Sequence, residues 1–322
     1  MGKGNSPIMA QMEKIFRHTR ANSFSTRARY ESSCRKFVQF VNDQFKMKNL
    51  RNLQDKHIAA FIEHRQQVDG VAPKTLKNDL GAIRYMHDMI PKVKYELLDN
   101  KDLQQIYSLK IDKTPAINGN RAWTNQEYEG MEKLASEIIT KRSKGFETAR
   151  DIPDILKLCK TMGLRITEAV AMTRSQVEKA VRTGVYQVKG EAKNGKWRQV
   201  PVSEEAQKIF DSRLQETPRG GRFFVNEREK THQAVNRFEK FIERHRKKIE
   251  TKEGVELRTW ERDGKTSTNE LTFHGLRYNY VQDRVQGEID KGFSLEQAAA
   301  RVTQEVGHER TDVIRIYLGG NH

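Results

Sequence analysis

Between Val185 and Val202 the hydrophobic period of the chain changes. Elsewhere apolar residues recur at three- and four-residue spacing. Here Tyr186 and Val188 share one face of an extended segment, while Trp197, Gln199 and Pro201 alternate with Arg198, Val200 and Val202. Asn194-Gly195 lies between the two runs and is the strongest short-range signal for a two-residue hairpin turn. In the register set by that turn, Lys193 faces Lys196, Ala192 faces Trp197, and Glu191 faces Arg198 as an opposite-charge pair. Gly190, Gly195 and Lys196 also fit seven places of a P-loop, but Trp197 occupies the place where such a loop needs a magnesium-binding hydroxyl, so nucleotide hydrolysis is not the reading. The expected fold is therefore mainly α, with an α+β second half built around one small antiparallel sheet.

The charge balance narrows the choice of partner. With 59 Lys and Arg against 43 Asp and Glu, the net charge is +16 and the pI about 9.7, and the excess is spread over both halves. A polyanion gripped by both halves is expected. Cys34 and Cys159 are the only cysteines and both lie in apolar helical contexts, as buried free thiols of a reducing compartment would. No run of eighteen apolar residues and no signal-peptide core is present, so the chain is expected to be soluble and unexported, with a cytoplasmic location.

Residues 1–22 read as a polar lead, and residues 23–110 as a helical bundle. Its helices are marked by Tyr30, Cys34, Phe37, Val38 and Val41, by Ile58, Phe61 and Ile62, by the run that follows Ala72-Pro73, and by a short segment from Glu96 to Leu109. Residues 111–122 collect Pro, Gly and Asn as linkers do, and residues 123–322 form the second domain. Helices are expected there around Asn125–Lys141, Ile152–Met162, Glu204–Leu214 and Gln233–Lys248. Asp263-Gly264, flanked by Val255, Leu257 and Trp260, predicts an extra hairpin within residues 249–270, covering DNA or a partner protomer or simply solvated.

Four separated spots carry the residue types that a phosphodiester reaction requires. They are Arg165 in GLRITEAV, Lys193 in the hairpin, His274 with Arg277 in LTFHGLRYNY, and His308 with Tyr317 in VGHERTDVIRIYL. A phosphate under attack gathers charge on its non-bridging oxygens, and guanidinium forks match that geometry with paired hydrogen bonds. Arg165 is expected just before a helix, with Thr167 and Glu168 in its first turn; the same spacing would also suit an ion pair between Arg165 and Glu168. His274 and Arg277 are expected on one face of the next helix. Neither the acidic residues nor the two cysteines make a metal-ligand set, so neither metal nor cofactor is expected.

In this order, with His308 nine residues before Tyr317, the segments resemble the tyrosine recombinases, the phage integrase family, from about Ser25 to the C-terminus. The resemblance implies a SAM-like core-binding domain followed by a catalytic domain, and a site-specific recombinase that cuts and rejoins DNA through a 3′-phosphotyrosyl link without ATP. It implies Tyr317 as nucleophile, Arg165 and Arg277 on the phosphate, His274 in acid/base work and His308 on a non-bridging oxygen. It also implies Lys193 as proton donor to the departing 5′ oxygen, with Lys196 as the alternative. A homo-oligomer is implied as well, a tetramer on two synapsed sites. Type IB topoisomerases, which share the attack chemistry, and a DNA-binding regulator that has lost catalysis are the other readings. The chain stops five residues after Tyr317, where many relatives continue into a segment that docks on a neighbour. The short lead suggests the integrase of a simpler mobile element or a dimer-resolving recombinase.

Overall fold

The computed structural model describes residues 6–18, 24–109, 111, 118–189, 197–262, 264–307 and 311–319. The chain divides into two compact units, residues 1–115 and 116–322. In the first, α1 (Pro7–His18), α2 (Phe24–Phe45), α3 (Asp55–Gln67), α4 (Pro73–Asp88) and α5 (Asn100–Ile106) enclose one apolar core. Pro73 opens α4 at a position where its missing N–H costs nothing, and the Asp99 side chain accepts from Asp102 N–H to cap α5. Buried between α2, α3 and α4, Asp79 accepts from both the Ser33 hydroxyl and the Arg65 guanidinium, which removes the penalty of an unpaired interior carboxylate.

The expected polar lead over residues 1–22 is corrected by α1. Ile8, Met9, Met12 and Phe16 fall on one face of that helix and are buried in the core, and Arg27 donates to the Phe16 carbonyl at 2.6 Å. Four apolar side chains in a twelve-residue segment are enough to dock it, because their burial outweighs the polar residues that remain in solvent.

The second unit is helical around two small hairpins. In chain order it contains α6 (Asn125–Thr140), α7 (Phe146–Thr161), α8 (Ile166–Ala171), α9 (Arg174–Thr183), β1 (Val185–Val188), β2 (Arg198–Pro201), α10 (Glu204–Glu216), α11 (Thr231–His245), α12 (Lys252–Arg258), β3 (Thr259–Arg262), β4 (Lys265–Thr268), α13 (Phe273–Asp290), α14 (Leu295–Glu305) and α15 (Ile314–Tyr317). A large core lies among α6 to α11 and the first hairpin. A smaller one joins α13, α14 and α15 through Tyr278, Val281, Val302, Ile314 and Tyr317.

The first hairpin pairs antiparallel, but not in the expected register. Val188, not Glu191, stands opposite Arg198, and Tyr186 stands opposite Val200. Burial decides this: the observed pairing puts Tyr186, Val188, Arg198 and Val200 together on the inward face, and register follows the buried face more strongly than the turn. The Asn194-Gly195 turn itself lies outside the described residues.

The hairpin expected near Gly264 is present as β3 and β4, while Val255 and Leu257 belong to α12 and are partly exposed. Arg258, at the end of α12, is fully buried and makes a paired bridge of 2.7 and 2.8 Å to the equally buried Glu127. Burial alone would push the Glu127 carboxyl up; the hydrogen bond from Arg258 and the N–H groups of Thr124 and Thr251 hold it below its ordinary value instead.

Because α1 contributes to the core, Phe16→Ala should lower the stability of the first unit by about 3–5 kcal/mol, read as a shift of its urea unfolding midpoint. A change below about 0.5 kcal/mol, as for an exposed lead, would contradict the packing described.

Candidate active site

The segment GLRITEAV makes the turn between α7 and α8. Gly163 has a φ of +60°, and a side chain there would run into the Tyr280 ring. Arg165 follows in extended conformation as the N-cap of α8. Its backbone N–H donates to Glu168 Oε2 at 2.8 Å and its Nη1 to Glu168 Oε1 at 2.7 Å. The ion pair read as an alternative for Arg165 thus exists, but its carboxylate is fully buried and it coexists with a guanidinium that is 22% exposed. The same carboxylate accepts both terminal nitrogens of Arg198 at 2.6 Å each. Burial would raise the Glu168 pKa; the Arg198 hydrogen bond and charge, with that of Arg165, bring it down to about 2. Glu168 is therefore an anion that neutralises neighbouring guanidinium charge at all ordinary pH.

Helix α13 supplies the next two residues. Its entry is pinned by Trp123, whose indole N–H donates to the Thr272 carbonyl at 2.9 Å, and by Asn279, which bonds both backbone groups of Trp123. His274 lies in the first turn and Arg277 one turn later. Arg277 has no solvent exposure. Its Nη1 donates to the Gly163 carbonyl at 2.5 Å, its Nη2 to the Val306 carbonyl, and its Nε to the Tyr317 hydroxyl at 3.2 Å. Burial, with the positive charges of Arg165 and Arg198 added, outweighs the help from Tyr317 and pushes the Arg277 pKa down to about 10, which leaves it protonated at neutral pH.

Tyr317 ends α15 and is 4% exposed. Its ring lies 4.8 Å from that of Tyr278 and 6.0 Å from that of His274, and its carbonyl accepts from Gln282 at 2.7 Å. Packing in the α13–α15 core and bonding to Arg277 thus hold for the same side chain. Arg165 and His274 line one cavity of about 540 Å³ together with Thr167, Glu239, Arg246 and Glu270.

Four of the six sequence-predicted residues are therefore described, and α8, α13 and α15 bring them into one neighbourhood. Lys193, its alternative Lys196, and His308 lie outside the described residues, although strand β2 and Gly307 on their flanks are placed. Among the described residues there is no cluster of three or more His, Cys, Asp or Glu able to hold a metal. One participant escaped the sequence reading: Arg198 was read as facing Glu191 across the hairpin, not as a partner of Glu168, which the helix-start spacing had already set beside Arg165.

The fold and site can be set beside known proteins. Residues 6–95 match the family described as phage integrase, N-terminal, and residues 128–319 match the phage integrase family. Among curated proteins none matches the sequence significantly. The Tn1549 transposon integrase in complex with transposon right-end DNA is similar over 96% of this chain and 93% of that one, with a TM-score of 0.53 and 15% identity. A complex of the same integrase with circular-intermediate DNA is similar over 97% and 95%, with a TM-score of 0.57 and 14% identity. At such identity the likeness is one of fold, and membership rests on the family matches, the second of which alone spans more than half of the chain. The chain belongs to the phage integrase family and is a tyrosine recombinase.

Proposed function

We propose that this recombinase cuts double-stranded DNA with Tyr317 as nucleophile and rejoins it through a 3′-phosphotyrosyl link. The observation that carries the reading is the 3.2 Å approach of Arg277 Nε to the Tyr317 hydroxyl, with the His274 ring beside it. A buried cation at the phenolic oxygen favours the developing phenolate. Arg165, exposed on one edge and anchored on the other by Glu168, takes a non-bridging oxygen of the phosphate, and Arg277 stabilises the same transition state from the buried side.

In the first step the Tyr317 oxygen bonds to phosphorus as the bond from phosphorus to the 5′ oxygen breaks. The phenolic proton passes to His274, and the departing 5′ oxygen takes a proton from Lys193. The second step runs in reverse, with a 5′ hydroxyl attacking the phosphotyrosyl bond, so atoms and charge balance and no nucleotide is consumed. His308 holds a non-bridging oxygen. Four protomers on two synapsed sites would carry out the exchange, on the nucleoid of a prokaryotic or phage host. The net charge of +16 supports a DNA partner.

Nicked duplexes selected by binding from a randomised pool provide the test. Tyr317→Phe should bind them within about twofold of the native protein and yield no adduct that survives denaturation; an adduct from this variant removes Tyr317 from the role. Arg277→Lys should cleave more slowly by on the order of a hundredfold at saturating DNA, because an ammonium cannot reproduce the fork; a native rate would contradict that assignment. Lys193→Ala should cleave ordinary DNA poorly and recover on DNA whose bridging 5′ oxygen is replaced by sulfur, since a thiolate leaves without a proton. Recovery in Lys196→Ala instead would transfer the role to Lys196.

A further inference from the structure

Arg198 sits on β2 with its side chain only 4% exposed. Its two terminal nitrogens clamp both oxygens of Glu168. Its Nε donates to the Glu305 carbonyl at the end of α14, at 3.0 Å. Gly307, two residues on, has a φ of +67°, and a Cβ there would meet Arg198 Cδ at 2.8 Å. The arginine stem thus fills the space that a side chain at Gly307 would need. One side chain on β2 consequently touches the α8 start and braces the turn at Gly307.

We infer that Arg198 is a positioning residue for catalysis, which orients Arg165 through the shared Glu168 carboxylate. The inference rests on the reading of Arg165 as a phosphate-holding group. The Arg165 backbone N–H already holds Glu168 Oε2; the Arg198 fork adds one bond to each oxygen and so fixes the plane in which Arg165 Nη1 meets Oε1. A buried ion pair is in itself weak evidence for stability, and an apolar pair of equal volume often serves as well. What an apolar pair could not supply is the third contact: the same anion is shared with a half-open guanidinium beside the cavity at His274. Among the described residues, Glu168 bonds Arg165 at its own helix start and Arg198 on β2.

Arg198→Lys keeps the positive charge, and with it the fold, while removing the fork and the bond to Glu305. The expected result is a single-turnover cleavage rate lower by on the order of tenfold to a hundredfold at saturating DNA, with the DNA-binding midpoint within about twofold. In an Arg165→Lys background the same substitution should cost less than about twofold, because the residue it positions has already lost its geometry. A native rate, a loss carried by binding, or full additivity of the two substitutions would each overturn the inference. Guanidinium NMR of the DNA-free protein reads the ordering of Arg165 without reference to cleavage: its Nε–H signal should lose order in Arg198→Lys, and an unchanged signal would overturn the positioning role. Should Arg165→Lys itself cleave at the native rate, the reading of Arg165 falls, and the guanidinium signal alone decides what Arg198 does.

Discussion

A guanidinium with no access to water must spend its donors inside the protein, and Arg277 shows what that demand organises. Its three bonds reach the Gly163 carbonyl, the Val306 carbonyl and the Tyr317 hydroxyl, which come from three separate stretches of chain. Each acceptor is available because the local backbone turns there: Gly163 by its left-handed conformation and Val306 by the end of α14. The cost of burying the cation is thus met by the same contacts that assemble the site. Helix α15 is only four residues long and would have no stability alone; the bond at Tyr317 and the small core around it fix its place.

Arg165 illustrates the complementary arrangement. It is held on one edge by an anion that is itself fully enclosed and is left open on the other. The two arginines therefore differ in kind: Arg277 is preorganised by complete enclosure, Arg165 by a single anchored edge. In the proposed reaction, reorganisation on binding a phosphate would be concentrated at Arg165, where solvent is displaced, and would be small at Arg277.

Much of this was legible because it depends on local rules. Arg165 at a helix start, His274 and Arg277 one turn apart, and the strand alternation beside Trp197 all follow from period and capping within a few residues. The failures have a common physical source, which is tertiary burial. The segment at Ile8–Phe16 carries helical spacing but was outweighed by its polar neighbours, and only a partner surface on the rest of the bundle makes it core. The hairpin register was read from Asn194-Gly195, whereas the inward packing of Tyr186 and Val200 sets it. Nothing near Arg198 in sequence announces a carboxylate thirty residues earlier as its partner, and Val255 and Leu257 lie on a short helix that is capped by Thr251 and docked by the buried Arg258.

That last arginine bears on how such a chain could change its size. The stretch from Thr251 to Thr268 resembles an ornament, a short helix and a largely exposed ribbon. Yet Arg258 inside it is the counter-charge of Glu127, which in turn caps the start of α6 through Thr124. Excising the ornament would strand a carboxylate in the interior at the entrance to the catalytic unit. Evolution or an engineer could remove the helix only by replacing Glu127 in the same step, so the two positions are expected to be gained and lost together.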